Sequence, residues 1–470
     1  MLKIYNTLSR ELEEFKPIKE GSISFYQCGP TVYSHQHIGN VFSAVKGDFI
    51  RRSLLYLGYE VVYVKNVTDV GHLVSDEDSG EDKMEKGAKK EGLKPEEIAK
   101  KYYDLYVNDL EKLHVMMPDE EPVATKYIEE MAEMVQTLID KGYAYSTQLA
   151  IYFDVSKLDD YTKLSGQKLE ENRSGAGHGD VEDSEKRSPF DFAVWMYKAG
   201  NHKNALQTWQ HEFTGIEQPT LDGFPGWHIE CSAMSKALLG LTIDIHMGGR
   251  EHIPVHHTNE IAQSEAANGV EFVNYWIHHE WLLIDGGKMS KSIGNIYTLD
   301  DLAERGFDPL DYRYFLLQAH YRSKQNFTWE ALNAAKSARN NLVKKISELT
   351  SGKGTVIKEF DDAFRRSLEE DFNLPQALAL LWDMLKSDNN DEDKLATAYA
   401  FDKVFGLGLK DIKQVESFVT EDIEKLLEER KKARAMKQWE ESDKLRDKLR
   451  EEHGVMVEDT GDGQKITVVS

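Results

Sequence analysis

A chain of 470 residues, 40% hydrophobic and 10% aromatic, can bury several cores, and at roughly 150 residues per domain it predicts about three domains. Its formal charge of −24 repels phosphate overall. That argues against nonspecific nucleic-acid binding but not against a specific RNA held by a local basic face, since a charge acts mainly within about 10 Å. With no run of about 18 apolar residues, no apolar core near the start and only two cysteines, a soluble, cytoplasmic chain that meets no membrane is expected.

In chain order, short apolar runs bounded by turn residues predict buried strands at 22–26 (SISFY), 60–66 (EVVYVKN), 241–246 (LTIDIH) and 281–284 (WLLI). A helical pattern from about His37 to Leu57, stopped by Gly58, joins the first two. Strand, crossover helix and strand make a βαβ unit and predict a parallel sheet, which a long insertion at 115–205 then splits. The acidic segment 75–92 reads as a loop leading into a helix. The insertion opens with an amphipathic helix ending at Gly142, continues with a strand in LAIYFDV and holds a Gly-rich loop at 171–186. Beyond about 330 long helices dominate (329–349, 377–386, and 420–452 with a hairpin behind it).

The chemistry concentrates at three places. HQHIGN opens the first crossover helix, where unpaired N–H groups and the helix dipole welcome anions. There His37 can stabilise charge on a phosphate, and Gly39 leaves room for a flat base. Neither G-x-G-x-x-G nor a P-loop is present. Following the last predicted strand, GGKMSKS sets Lys288 and Lys291 in a Gly-flanked loop suited to clamp a triphosphate. Taken singly, each is a helix cap or a solvated turn; paired on one split sheet they are far more specific. Cys28, Cys231, His256 and Glu260 form the third, with Trp227 and Cys231 four apart on one helix and His256 and Glu260 four apart on another. Two sulfurs, an imidazole and a carboxylate make a plausible zinc set. Spacing leaves the choice open among His228, His246, His252, His256 and His257, and a Cys28–Cys231 disulfide or inert buried thiols are the plainer alternatives.

YNTLSRELEEFKPI, CGPTVYSHQHIGN, GWHIECSAM, DIHMGG, HHTNEIAQSE and KMSKSIGN, in that order, resemble the cysteinyl-tRNA synthetases of class I, over essentially the whole chain. The resemblance implies an α/β fold: a Rossmann-like parallel sheet split by an insertion, a helical anticodon-binding region and a small C-terminal α+β element. It implies catalytic halves at 1–114 and 206–285 around the insertion at 115–205, and a KMSKS and stem-contact region at 286–330. A helical tRNA-binding bundle at 331–415 and a C-terminal helix and hairpin at 416–470 complete the chain. Zinc would be held by Cys28, Cys231, His256 and Glu260. Trp227 and His246 would line the cysteine pocket, with Gly29 and Thr31. ATP, as its Mg2+ complex, would meet His37, Gly39, Asn40, Lys288, Met289, Ser290, Lys291 and Ser292, with His37, Lys288 and Lys291 catalytic. The partners implied are tRNA-Cys, ATP and L-cysteine, and a monomer is expected.

Departures from the family pattern are Asn40 for the second His of the HIGH signature, a longer segment after Asp69, and Glu251, Pro254, Val255 and Thr258 in the pocket wall. The weighed alternatives are a ligase joining cysteine to a small-molecule amine and a non-catalytic RNA-binding paralogue. Helices after 331 count against the first, and intact His37, Lys288 and Lys291 against the second.

Overall fold

The computed structural model describes residues 1–70, 87, 91–167, 183–289, 294–412, 421–460 and 463–468. Expectations for Ser290, Lys291 and Ser292, for most of 75–92 and for 171–182 lie outside the described residues. The chain divides into two units, one built from 1–309, 319–327 and 369–372, the other from 310–318, 328–368 and 373–470. Among the described residues no helix is long and apolar enough to cross a membrane.

In the first unit an antiparallel hairpin, β1 (Lys3–Asn6) and β2 (Glu11–Glu14), precedes β3 (Ser22–Gln27). Alternation along β3 sends Ile23 and Phe25 to one face and Tyr26 to the other, so the strand is covered on both sides. Helix α1 (Ile38–Leu57) stops at Gly58, whose φ of 101° is one that side chains rarely adopt. Strand β4 (Glu60–Lys65) returns parallel to β3, with Lys65 opposite Gln27.

Helices α2 (Pro95–Lys112) and α3 (Ile128–Asp140) then lead to an antiparallel five-stranded sheet. Its strands are β5 (Ala144–Ser146), β6 (Ala150–Phe153), β7 (Phe192–Tyr197), β8 (Trp209–Gln210) and β9 (Asp222–Pro225), in the order β5-β6-β7-β9-β8. It draws strands from both sides of residue 205.

The main sheet resumes with α4 (Trp227–Leu239), β10 (Ile243–Gly249), α5 (His256–Asn268) and β11 (Val273–His279). Its order is β11-β10-β3-β4, with every pairing parallel. Met131, Val135, Ile229, Met234 and Ile261 of α3, α4 and α5 pack on the face of Tyr26. Ile50 and Leu54 of α1 pack on the face of Phe25.

Two expectations need correction. Residues 281–284 do not join this sheet. They form β12 (Leu282–Ile284), paired in parallel with β13 (Gln325–Phe327) in a sheet of two, and the fourth strand is β11, which the reading missed. Asn274, His278 and His279 blur its apolar pattern; the two histidines are satisfied by tertiary partners, His278 by the Thr7 hydroxyl at 2.8 Å and His279 by the Ser43 hydroxyl at 2.9 Å. The helix expected over 420–452 is two helices, Glu421–Ala435 and Trp439–His453, broken where Lys437 takes φ 59°.

In the second unit Phe364 of helix Lys358–Glu369 stacks on Phe401 of helix Asp391–Phe405 at 3.9 Å. The last two helices and the hairpin Val455–Thr460 and Gly463–Val468 enclose a small core of their own, with Ile423, Leu445, Leu449 and Val455. Beneath its edge Arg430 makes a bidentate pair with Asp459 at 2.9 Å.

Candidate active site

A cavity of about 860 Å³ opens where β3 and β10 end and α1 begins. Chain connections leave these adjacent strands toward opposite faces, which opens a crevice between them. Cys28, the first residue past β3, lines it, and Gly29 explains why the thiol sits there. A Cβ on Gly29 would lie 1.5 Å from the Asn66 carbonyl oxygen, so only glycine lets the ends of β3 and β4 come this close. The Gly29 N–H donates to Asn66 Oδ1 at 2.8 Å, and Thr68 N–H to the Pro30 carbonyl at 3.0 Å.

At one end of the cavity Cys28, Cys231, His256 and Glu260 each offer a donor atom, all within 4.8 Å of one another. Helix α4 supplies Cys231 and α5 supplies both His256 and Glu260, one turn apart, so the donors stand on rigid elements. A second grouping replaces Cys231 and His256 with His246 and His257. Cys231 and His256 line the cavity, whereas His246 and His257 lie behind it. His246 Nε2 meets Glu260 Oε2 at 2.9 Å while its ring stacks on Trp276 at 4.7 Å. His257 bridges Cys28 Sγ (3.3 Å) and His278 (2.7 Å). The structure thus brings His246 to Glu260, and the residues lining the cavity do not include it.

Glu260, His256 and Cys28 are charged although the first two are buried and the third is half-buried. Burial raises the Glu260 carboxyl, but the His246 and His256 imidazoles more than offset that and hold it at about 2. Burial lowers His256, yet Glu260 drives it up to about 10. Burial likewise raises Cys28, but a hydrogen bond from Cys231 and the nearby His257 pull it well below its ordinary value. Cys231, donating to Cys28 and buried, is pushed well above. A desolvated carboxylate and thiolate among imidazoles are a donor set for a cation, and two sulfurs, one nitrogen and one oxygen suit a borderline-soft ion such as zinc.

Trp227 forms the wall beside this cluster, its indole stacked on His256 at 4.4 Å; Thr31 lines the cavity nearby.

At the other end, His37 caps α1. Its Nδ1 accepts from the Asn40 N–H and Asn40 Oδ1 accepts from the His37 N–H, both at 3.3 Å. This capping box gives Asn40 a structural reason to stand where the signature has histidine. An accepting Nδ1 leaves the neutral ring's proton on Nε2. A Cβ on Gly39 would lie 2.0 Å from Met289 Cε, so the start of the KMSKS loop rests directly on this glycine. Lys288 Nζ sits 4.6 Å from the centre of the Trp281 ring.

Sequence reading missed several lining groups. Lys65, at the end of β4, donates to the Tyr106 hydroxyl at 2.6 Å. His35 meets Asp109 at 3.1 Å. Tyr106 and Asp109 reach the site from α2, more than sixty residues from the nearest motif, and no local pattern announces them.

Residues 14–337 match the family described as tRNA synthetases class I (C) catalytic domain. Residues 418–466 match the cysteinyl-tRNA ligase anticodon binding domain. Cysteine–tRNA ligase 1 of Burkholderia lata is 44% identical over 99% of this chain and 96% of its own. Cysteine–tRNA ligases of Treponema denticola and Thermus thermophilus are each 40% identical, over 97% and 99% of this chain and 98% of their own. In fold, the chain is similar to Mycobacterium tuberculosis methionyl-tRNA synthetase in complex with methionyl-adenylate, with a TM-score of 0.54 at 16% identity over 82% of this chain and 90% of that one. The parallel sheet split by an insertion, the cavity at its crevice and these matches along the whole chain place it in the cysteine–tRNA ligase family of class I aminoacyl-tRNA synthetases.

Proposed function

We propose that this chain activates L-cysteine with ATP and transfers it to the 3′ end of tRNA-Cys. One observation carries the reading: a single cavity has a thiol-rich donor cluster at one end and an anion-binding helix start at the other. A cysteine held at the first end presents its carboxylate toward the second, where the α-phosphate of Mg·ATP is in reach. Attack of that carboxylate gives cysteinyl-adenylate and pyrophosphate, and the acyl group then passes to the terminal ribose.

His37 Nε2–H and the N-terminus of α1 would meet charge that grows on the α-phosphate, and Lys288, with Lys291 carried over from the family motif, would meet the departing pyrophosphate. Holding the reactants in place supplies much of the acceleration, so no covalent enzyme intermediate is needed. Gly29 and Thr31 shape the amino-acid pocket and Trp227 closes it. Cys28, Cys231, His256 and Glu260 would hold zinc, which when bound supplies a soft Lewis acid for the substrate sulfur. Serine and cysteine differ by one atom, and an ordinary pocket separates such pairs by only about 10–200-fold. A sulfur-preferring site gives a selectivity that needs no separate editing domain.

We read 115–205 as contacting the acceptor end, 286–330 as the KMSKS and stem-contact segment, and 331–470 as the part that recognises tRNA. Support for the last is the basic run 429–437, the exposed Trp439 and the guanidinium of Arg434 at 5.5 Å from its ring. The anticodon-domain match also weighs against a ligase acting on a small-molecule amine. We read the enzyme as a monomer of the cytoplasm.

The test is charging of a tRNA-Cys transcript with labelled cysteine beside ATP–pyrophosphate exchange. Both activities are expected. Exchange without charging would favour the amine ligase, and neither would leave a non-catalytic RNA-binding protein.

A further inference from the structure

We propose that a second cleft beside the first holds the phosphate backbone of the single-stranded 3′ end of the RNA substrate. This rests on the tRNA-charging reading and names a binding site within it.

The cleft has a volume of about 650 Å³ and is lined by Tyr5, Thr7, Arg10, Arg250, Trp281 and Arg322, among others. It shares Glu251, Pro254 and His279 with the first cavity, so the two meet along a common sill. Its volume is in the range of small-ligand sites, with room for unpaired nucleotides and not for a duplex.

Cations gather around one indole. Lys288 Nζ, Lys324 Nζ and the Arg250 guanidinium lie 4.6, 5.6 and 5.8 Å from the centre of the Trp281 ring. Trp281 is itself held by Glu251, to which its Nε1 donates at 2.9 Å. Arg322 pairs with Asp371 at 2.6 Å and lies 4.4 Å from the centre of the Tyr5 ring. Arg10 has a left-handed backbone, φ 64°, and packs so close to Gly166 that a Cβ there would lie 1.6 Å from its Nη2.

Arg10, Arg250 and Arg322 line the cleft, and Lys324, like Lys288 of the ATP end, stands against its Trp281; opposite them are the carboxylates of Glu251, Glu280 (paired with Arg250) and Asp371. Among the described residues Arg10 and Lys324 have no carboxylate partner. In a chain of net charge −24, a cleft richer in cations than in carboxylates is a local reversal of the field.

The position selects the ligand. The nucleotide triphosphate is accounted for at the α1 end of the first cavity, and the second substrate must bring a ribose hydroxyl to the carbonyl formed there. A strand whose last nucleotide crosses the sill at His279 and Glu251 leaves its preceding phosphates in this cleft. The cations then neutralise a chain of phosphates without reading its bases.

The experiment uses the full chain with Arg10→Gln and Lys324→Gln, singly and together; both residues are exposed and neither belongs to the adenylate-forming machinery. Affinity is measured for a full-length tRNA-Cys transcript and for one lacking its last four nucleotides, with salt varied between about 50 and 200 mM. The double variant should bind the full transcript about tenfold more weakly, with each single variant intermediate and a salt slope lower by about 1.4, or 0.7 per lost single-strand contact. Affinity for the truncated transcript and the rate of ATP–pyrophosphate exchange should not change. Equal weakening for both transcripts, no weakening for either, or a parallel fall in exchange would overturn the assignment. If the unaltered enzyme shows no exchange and no charging, the tRNA-charging reading fails first, and this site with it.

Discussion

Replacing Gly29 with alanine tests the geometry on which the whole amino-acid end depends. The new Cβ would start 1.5 Å from the Asn66 carbonyl oxygen and 2.7 Å from its carbon, both backbone atoms that no rotamer can move. Comfortable contact needs about 3.5 Å, so the ends of β3 and β4 must part by about 2 Å. Three hydrogen bonds span this junction: Gly29 N–H to Asn66 Oδ1, Thr68 N–H to the Pro30 carbonyl and Val32 N–H to the Thr68 carbonyl. At a net ~0.5–1.5 kcal/mol each, their loss comes to about 2–4 kcal/mol. Cys28 moves with its neighbour, and metal ligation tolerates only about 0.2 Å. Denaturant titration of metal-stripped protein, with metal content measured on the loaded form, should therefore show both a loss of 2–4 kcal/mol and a substoichiometric metal. A variant within about 0.5 kcal/mol of the parent that still binds one ion per chain would refute the reasoning.

Other substitutions separate the roles further. Cys231→Ser should lose the metal and let the preference for cysteine over serine in pyrophosphate exchange fall to the about 10–200-fold of an ordinary pocket; retention of both would remove Cys231 from the donor set. Asn40→Ala should cost at most ~0.5–1.5 kcal/mol through the lost hydrogen bond from the His37 N–H, whereas Asn40→Asp should keep that stability but slow exchange by placing an anion beside the phosphates. Equal exchange rates in the two variants would mean that phosphate does not bind at the start of α1. Lys46, buried in α1 with its Nζ donating to the Ala319 carbonyl at 2.9 Å, is lowered by burial to about 7. Between that value and about 10.4 the unfolded chain holds a proton that the folded chain has released, so stability should rise with pH by up to ~1.4 kcal/mol per unit. Below the window both states are protonated and the burial penalty is felt in full. Lys46→Met should flatten the rise when denaturation midpoints at about pH 7.5 and 9.5 are compared, and an unchanged slope would show that Lys46 is charged in the folded state.

Much of the architecture is legible locally because it depends on local physics. The strand at 22–27, the helix from 38 to 57, its stop at Gly58 and the return strand at 60–65 follow from alternation, helical period and one left-handed glycine. Motif order likewise named Cys28, Cys231, His256 and Glu260, because residues four apart on a helix share a face wherever the helix goes. Strand β11 was hidden because His278 and His279 find partners in Thr7 and Ser43, from segments far away in the chain. The break at Lys437 was hidden because nothing about a lysine announces a left-handed backbone.

The amino-acid sequence by itself determined the family, the split parallel sheet and the residue types needed for chemistry at each end of the cavity. Which histidine faces that cavity was a tertiary decision. His246 and His257 group with Cys28 and Glu260 as His256 does, but Trp276 and His278 pack against them away from the cavity, while Trp227 stacks His256 at its surface. Access to a substrate depends on what covers each ring, and those covering residues come from β11 and α4, whose placement no short stretch of sequence encodes.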